Sequence, residues 1–223
     1  TSLFAFSYSG SGLYLSANTA KFSSDFSAAS SFYRSLWAKD PLNLDYAVDA
    51  LIFSVASGQV KDAIGIANGA LESGLDSPLF GLVLIIGSFK ERELEDVKVL
   101  LKKYKEDLPN VAFWIFSGWA NSDLGSSQLI PEFEEISQRA KNIGLNHYNQ
   151  ALYSAYKGDW SLASSFLKKG GNLLATLNRD ILLTQANILY FSGDKKEALA
   201  TLKKGLGFGN IYEFPILEKI KDF

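Results

Sequence analysis

The 223-residue chain contains no cysteine, no methionine and a single histidine, His147. Without cysteine there is no disulfide framework, thiol nucleophile or thiolate metal site. Compartment stays open, because a cysteine-free chain is comfortable on either side of a membrane. One histidine cannot build the usual multi-histidine metal site. No stretch alternates apolar and polar residues with period two, so a sheet is not expected. Long apolar runs are also missing. The uncharged segments Ser77–Phe89 and Leu108–Ser122 fall short of the roughly 18–20 residues that cross a bilayer, and the chain reads as soluble. Charge of one sign is not concentrated either: the net charge is −2. Residues 1–146 carry 12 basic and 17 acidic side chains, and residues 147–223 carry 10 and 7. That asymmetry is too weak for a nucleic-acid footprint. The 47% apolar content excludes a disordered chain.

What is present is repetition. Leu-Lys-Lys occurs at Leu101–Lys103, Leu167–Lys169 and Leu202–Lys204, with spacings of 66 and 35 residues. Val97, Ala163 and Ala198 stand four residues before the three leucines. A period in the mid-thirties marks a solenoid of helical hairpins. Turn signals fall at Ser24-Asp25, Gly58-Gln59, Arg92-Glu93, Gly158-Asp159 and Gly193-Asp194. The long step between the third and fourth places a further, irregular turn near Gly125, with Pro131 opening the helix after it.

Each feature has a mechanical reason. Gly-Asp supplies a residue tolerant of positive φ and then a helix cap. Small residues seven before the turn (Ala17, Gly118, Ala151, Ala186) face small ones five after it (Ala29, Ala63, Ala163, Ala198), which lets two helices approach closely. Pro41, Pro78 and Pro109 are expected to end units, since proline cannot continue a helix.

This alternation of a small residue in the first helix, Gly-Asp-aromatic at the turn, alanine, an aromatic or leucine, and a closing proline resembles the tetratricopeptide repeat (TPR). Gly10–Asn43 and Gly144–Asn178 match best. The resemblance implies an all-α, right-handed superhelical solenoid of about six helix-turn-helix hairpins. The units run over residues 10–43, 44–78, 79–110, 111–143, 144–178 and 179–212, with a capping helix at 211–223. There are departures: the early aromatic of the first helix is clear only as Trp114, and Gly170 and Gly205 replace the usual residue near the end of the second. Ser-Gly-Leu-Tyr-Leu-Ser-Ala, leading into Asp-Phe-Ser-Ala-Ala, further resembles the N-terminal part of longer alphaproteobacterial-type TPR proteins. That narrower likeness carries no activity. It leaves the compartment open between bacterial periplasm and cytoplasm. The periplasm is favoured if a signal segment has been removed, for which the uncharged start around Leu3-Phe4-Ala5-Phe6 leaves room, although no basic region precedes it.

Candidates for chemistry each have a structural explanation. His147 falls where a repeat packs its first helix and has no visible acid–base partner. Gly205-Leu-Gly-Phe-Gly-Asn210 follows a helix, not a strand, so a helix-terminating turn explains it better than a phosphate loop. Glu132, Glu134 and Glu135, like Glu91, Glu93, Glu95 and Asp96, are assigned to helix starts, where the macrodipole favours them. The lysine pairs form a spaced ladder on the second helices, either a solvated face or a dock for an acidic partner.

The resemblance implies a concave groove built by the first helix of each hairpin. By register its floor includes Tyr14, Asn18, Val48, Ile52, Tyr148, Asn149, Leu152, Asn187 and Tyr190. No basic clamp for a terminal carboxylate stands there, and the expected groove is nearly uncharged and suited to an apolar or extended peptide. The expected function is a non-catalytic protein-interaction scaffold for a protein or peptide partner, with no cofactor or metal. The alternative is a structural arm of a larger or homo-oligomeric assembly.

Overall fold

The computed structural model of the chain describes residues 10–122, 130–140, 143–170 and 179–206. Every regular element among them is an α-helix. They group into two compact units, Thr1–Leu108 and Pro109–Phe223. The first holds α1 (Gly10–Phe22), α2 (Phe26–Lys39), α3 (Leu44–Ala56), α4 (Val60–Glu72), α5 (Pro78–Glu91) and α6 (Leu94–Lys103). The second holds α7 (Asn110–Asn121), α8 (Pro131–Ala140), α9 (Ile143–Tyr156), α10 (Trp160–Gly170), α11 (Arg179–Phe191) and α12 (Lys195–Leu206). The expected turn near Gly125, residues 207–210 of the glycine cluster and the capping segment 211–223 lie outside the described residues.

Five hairpins turn in the same way. One residue adopts positive φ: Ser24 at 59°, Gly58 at 76°, Arg92 at 63°, Gly158 at 82° and Gly193 at 94°. The next residue's N–H then donates to the carbonyl five positions back. Asp25 reaches Ala20, Gln59 reaches Ser54, Glu93 reaches Ser88, Asp159 reaches Ser154 and Asp194 reaches Leu189, all at 2.8–2.9 Å. This closure satisfies a carbonyl orphaned at the helix end. The same aspartates then cap the next helix: Asp25 accepts from Ala28 N–H at 3.0 Å, and Asp159 from Leu162 N–H at 2.9 Å. Gln59 and Glu93 make no such side-chain cap. Ser24 and Arg92 hold a conformation that costs an L-residue about 1–2 kcal/mol.

Close helix approach follows from size. Ala17, Ala29, Ala63, Ala151, Ala163, Ala186 and Ala198 are all 0% exposed. Where one partner is large, the other is glycine. A Cβ on Gly81 would overlap the Tyr104 ring, and one on Gly118 would overlap Phe133. The Tyr104 hydroxyl donates to Asp76 at 2.7 Å, and Lys103 reaches Asp76 at 2.9 Å, which ties the end of α6 to the chain entering α5. Two expectations change. Pro78 opens α5 rather than closing α4, because its missing N–H costs nothing in a first turn; Pro109 likewise precedes α7. Glu91 closes α5, so not every carboxylate of its cluster sits at a helix start.

In the second unit α7 and α8 are held by polar side chains from one face of α9. Asn146 donates to Ser137 Oγ at 2.8 Å, and Asn149 accepts from Trp119 Nε1 at 3.0 Å. Gln150 clamps the backbone of Ile130 from both sides: Nε2 donates to its carbonyl at 3.0 Å, and Oε1 accepts its N–H at 3.3 Å. The Tyr153 hydroxyl reaches the Ser122 carbonyl at 3.4 Å. All four side chains are buried.

Three stability outcomes follow. Arg92→Gly should raise stability by about 0.5–1 kcal/mol, whereas Gly193→Ala should lower it by about 1 kcal/mol, read as thermal midpoints. Gln150→Leu strands both polar groups of Ile130 in the interior. It should cost about 2–4 kcal/mol in denaturant unfolding.

Candidate partner-binding surfaces

The first helices of the hairpins are α1, α3, α5, α7, α9 and α11. Counting back from each left-handed turn residue, positions ten and six before it lie on one helix face. In the first unit these are Tyr14, Val48 and Leu82, then Asn18, Ile52 and Ile86. Tyr14 is 47% exposed, Ile52 40% and Ile86 46%. Val55, three before its turn, is 46% exposed, and Phe22, two before its turn, is 85% exposed. Ile52 and Ile86 are thus left uncovered at the same position of two consecutive hairpins, where the first hairpin has Asn18.

Not every expected floor residue is open. Asn18 spans Tyr14 and Tyr33: its Nδ2 donates to the Tyr14 carbonyl at 3.1 Å, and its Oδ1 accepts the Tyr33 hydroxyl at 3.4 Å. Val48 is half-buried against the core of the first unit. A cleft of about 460 Å³ opens between α1 and α3, lined by Tyr14, Asn43, Asp45, Tyr46, Val48 and Asp49. The groove expected to be nearly uncharged is therefore acidic here. Burial lifts the Asp49 carboxyl above its ordinary value. Lys21 and the Tyr33 hydroxyl oppose the shift without reversing it, and Asp45 adds to it. The same surroundings push the Tyr33 phenol up to about 12, burial first and the Asp49 charge next.

In the second unit Asn149 is buried, its carboxamide committed to Trp119 and to the Leu145 carbonyl. It therefore holds α7 rather than facing solvent. Tyr148 is half-buried and hydrogen-bonded to Thr184 of α11; burial raises its phenol, and Asp180 adds to the shift. Leu152 packs partly into the core between α9 and α10. Asn187 is half-buried. Tyr190 meets Phe191 edge-on at 5.4 Å, with Lys195 6.0 Å over its ring.

These helix pairs, closed by the same turn and opened along their first helices, can be set beside known structures. A tetratricopeptide repeat protein from Parabacteroides merdae superposes with a TM-score of 0.67 at 12% identity, over 90% of this chain and 80% of its own. YrrB, described as a TPR protein with an unusual peptide-binding site, gives 0.54 at 17% identity, over 84% and 88%. The chain has the tetratricopeptide-repeat fold. No protein-family profile matches it, and no curated protein does.

On this TPR fold the other candidates are structural. Two of the six lysines in the ladder of the second helices are ion-paired: Lys103 with Asp76, and Lys168 with Asp194 at 3.1 Å and Glu197 at 3.8 Å. Lys169 lies 5.3 Å over the Phe166 ring. His147 packs on that ring too, 6.1 Å between centroids. Glu132 accepts from Asn121 at 2.7 Å, and Glu135 pairs with Arg139. Among the described residues no group of three metal-binding side chains assembles, and no helix is long and apolar enough to cross a membrane.

Sequence reasoning missed Ile86, Phe22, Tyr156 and Phe191. The signal was present. Ile86 lies 34 residues beyond Ile52, and Phe22, Tyr156 and Phe191 each stand two before a turn residue. Tyr156 is 63% and Phe191 58% exposed.

The Asp49 shift has a pH signature. A carboxyl raised in the folded chain supplies stability below its unfolded value, and loses it as pH rises through the folded one. Asp49→Asn should therefore raise the thermal midpoint at pH 7, with the gain vanishing below about pH 4, where an unfolded aspartate is protonated. A gain that persists in acid would assign the effect to packing.

Proposed function

We propose that the chain is a non-catalytic protein-interaction scaffold that holds a peptide or protein segment on the first helices of its hairpins. The observation that carries this reading is the row of exposed apolar side chains in the first unit, Ile52, Val55 and Ile86, with Tyr14 and Phe22 at its edge. A folded chain rarely leaves a contiguous apolar face uncovered unless something covers it. An extended segment suits such a face, since side-chain pockets at a regular spacing can read successive residues. YrrB, of the same fold, is described as having a peptide-binding site. In the second unit Tyr148, Leu152, Asn187 and Tyr190 supply the corresponding surface, with Asn149 as its internal support.

The test is selection of binders from displayed random peptides, followed by affinity measurement on variants. Ile52→Ser with Ile86→Ser should weaken selected peptides by about tenfold or more, the loss of two buried aliphatic contacts. Val99→Ser, which changes an exposed residue of α6, should leave them unchanged. Equal loss in both variants, or none in either, would remove the site from this face. Concentration-dependent self-association of the free chain, abolished by the Ile52/Ile86 pair, would favour the structural-arm alternative.

A further inference from the structure

The apolar row of the first unit ends at the cleft between α1 and α3, and the chemistry changes there. Tyr14, Tyr46 and Val48 line it together with Asp45 and Asp49. Asp45 sits in the first turn of α3, where the helix dipole accounts for it. Asp49 has no such account. It lies a turn further in, half-buried, and its burial disfavours the charge it carries. The ion pairs of the described residues use Asp62, Asp76, Glu95, Glu135, Asp194 and Glu197, never Asp45 or Asp49. Lys21, whose charge favours the ionised Asp49, has its ammonium 5.7 Å over the Phe53 ring. The Tyr33 hydroxyl hydrogen-bonds to the Asp49 carboxylate and offsets only part of that cost.

A half-buried carboxylate held at a cost to stability, beside a second carboxylate and two tyrosines, is built for a cation. Two carboxylates, two tyrosines and the Val48 side chain together match an ammonium or guanidinium on an apolar stem. We propose that this cleft takes the lysine or arginine side chain of an extended peptide whose apolar residues lie along Ile52 and Ile86. This deepens the scaffold reading and rests on it. It reverses the charge preference of a basic carboxylate clamp, and it names the partner as a basic, apolar segment.

The test uses the full chain and two short, terminally blocked peptides, one alternating leucine with lysine and the other leucine with glutamine. The lysine peptide should bind at least about tenfold more tightly, with a preference that shrinks as salt screens it. Asp45→Asn with Asp49→Asn should reduce that preference to about twofold or less. A control that removes three carboxylates elsewhere in the unit, Glu91→Gln, Glu93→Gln and Asp96→Asn, should leave it in place. A preference that survives the Asp45/Asp49 change, or fades equally in the control, would overturn the inference as general surface charge. Equal binding of both peptides, lost in Ile52→Ser with Ile86→Ser, would overturn it while leaving the scaffold reading intact. If neither peptide binds at millimolar concentration the inference falls, and the display selection decides the broader reading separately.

Discussion

One backbone closure underlies the molecule: a single left-handed residue followed by an N–H that reaches five residues back. It ends one helix and aims the next antiparallel to it within three residues. With direction set, the helices must pack at a distance chosen by the side chains between them, and alanine at the crossing makes that distance short. Where a ring occupies the crossing, as with Tyr104 and Phe133, glycine takes the opposite place. The sum of the two side chains is what matters, not the identity of either.

A fixed turn and a fixed crossing also determine which helix face is left over. The second helices bury much of their apolar surface within hairpins, with Val99 of α6 left exposed, and some of their charges pair locally, as Lys168 does with Asp194 and Glu197. The first helices have apolar residues to spare. Because each hairpin repeats the same register, those residues fall in rows, and a row is the natural complement of an extended chain. The acidic cleft at one end of the first unit's row gives that surface a chemical direction that its apolar part lacks.

The second unit also shows another way to hold a helix pair, at α7 and α8. There α9 reaches across with Asn146, Asn149, Gln150 and Tyr153. Buried amides are costly unless every polar end is matched. Gln150 meets that demand by matching both backbone groups of Ile130. Such an arrangement tolerates little change, whereas the alanine crossings of the other hairpins depend only on volume.

Periodicity was legible because it is a one-dimensional property. The five turn residues, the buried alanines and the register of Tyr14, Ile52 and Tyr148 can all be counted along the chain, since a helix converts spacing into direction. What spacing cannot say is how far a side chain is covered by a helix distant in sequence. Asn149 and Tyr148 are neighbours in the same helix. One is buried beneath Trp119 and the other reaches Thr184, because different helices pack over each of them. In the same way nothing in their spacing sets the aspartates of α3 apart from other helix charges; the cleft beside Tyr14 of α1 does. Spacing along the chain was enough for the hairpins, their turns and the face that each helix offers. Which parts of that face stay open, and what charge they carry, came only with the packed helices, because burial and electrostatics depend on what lies across the gap.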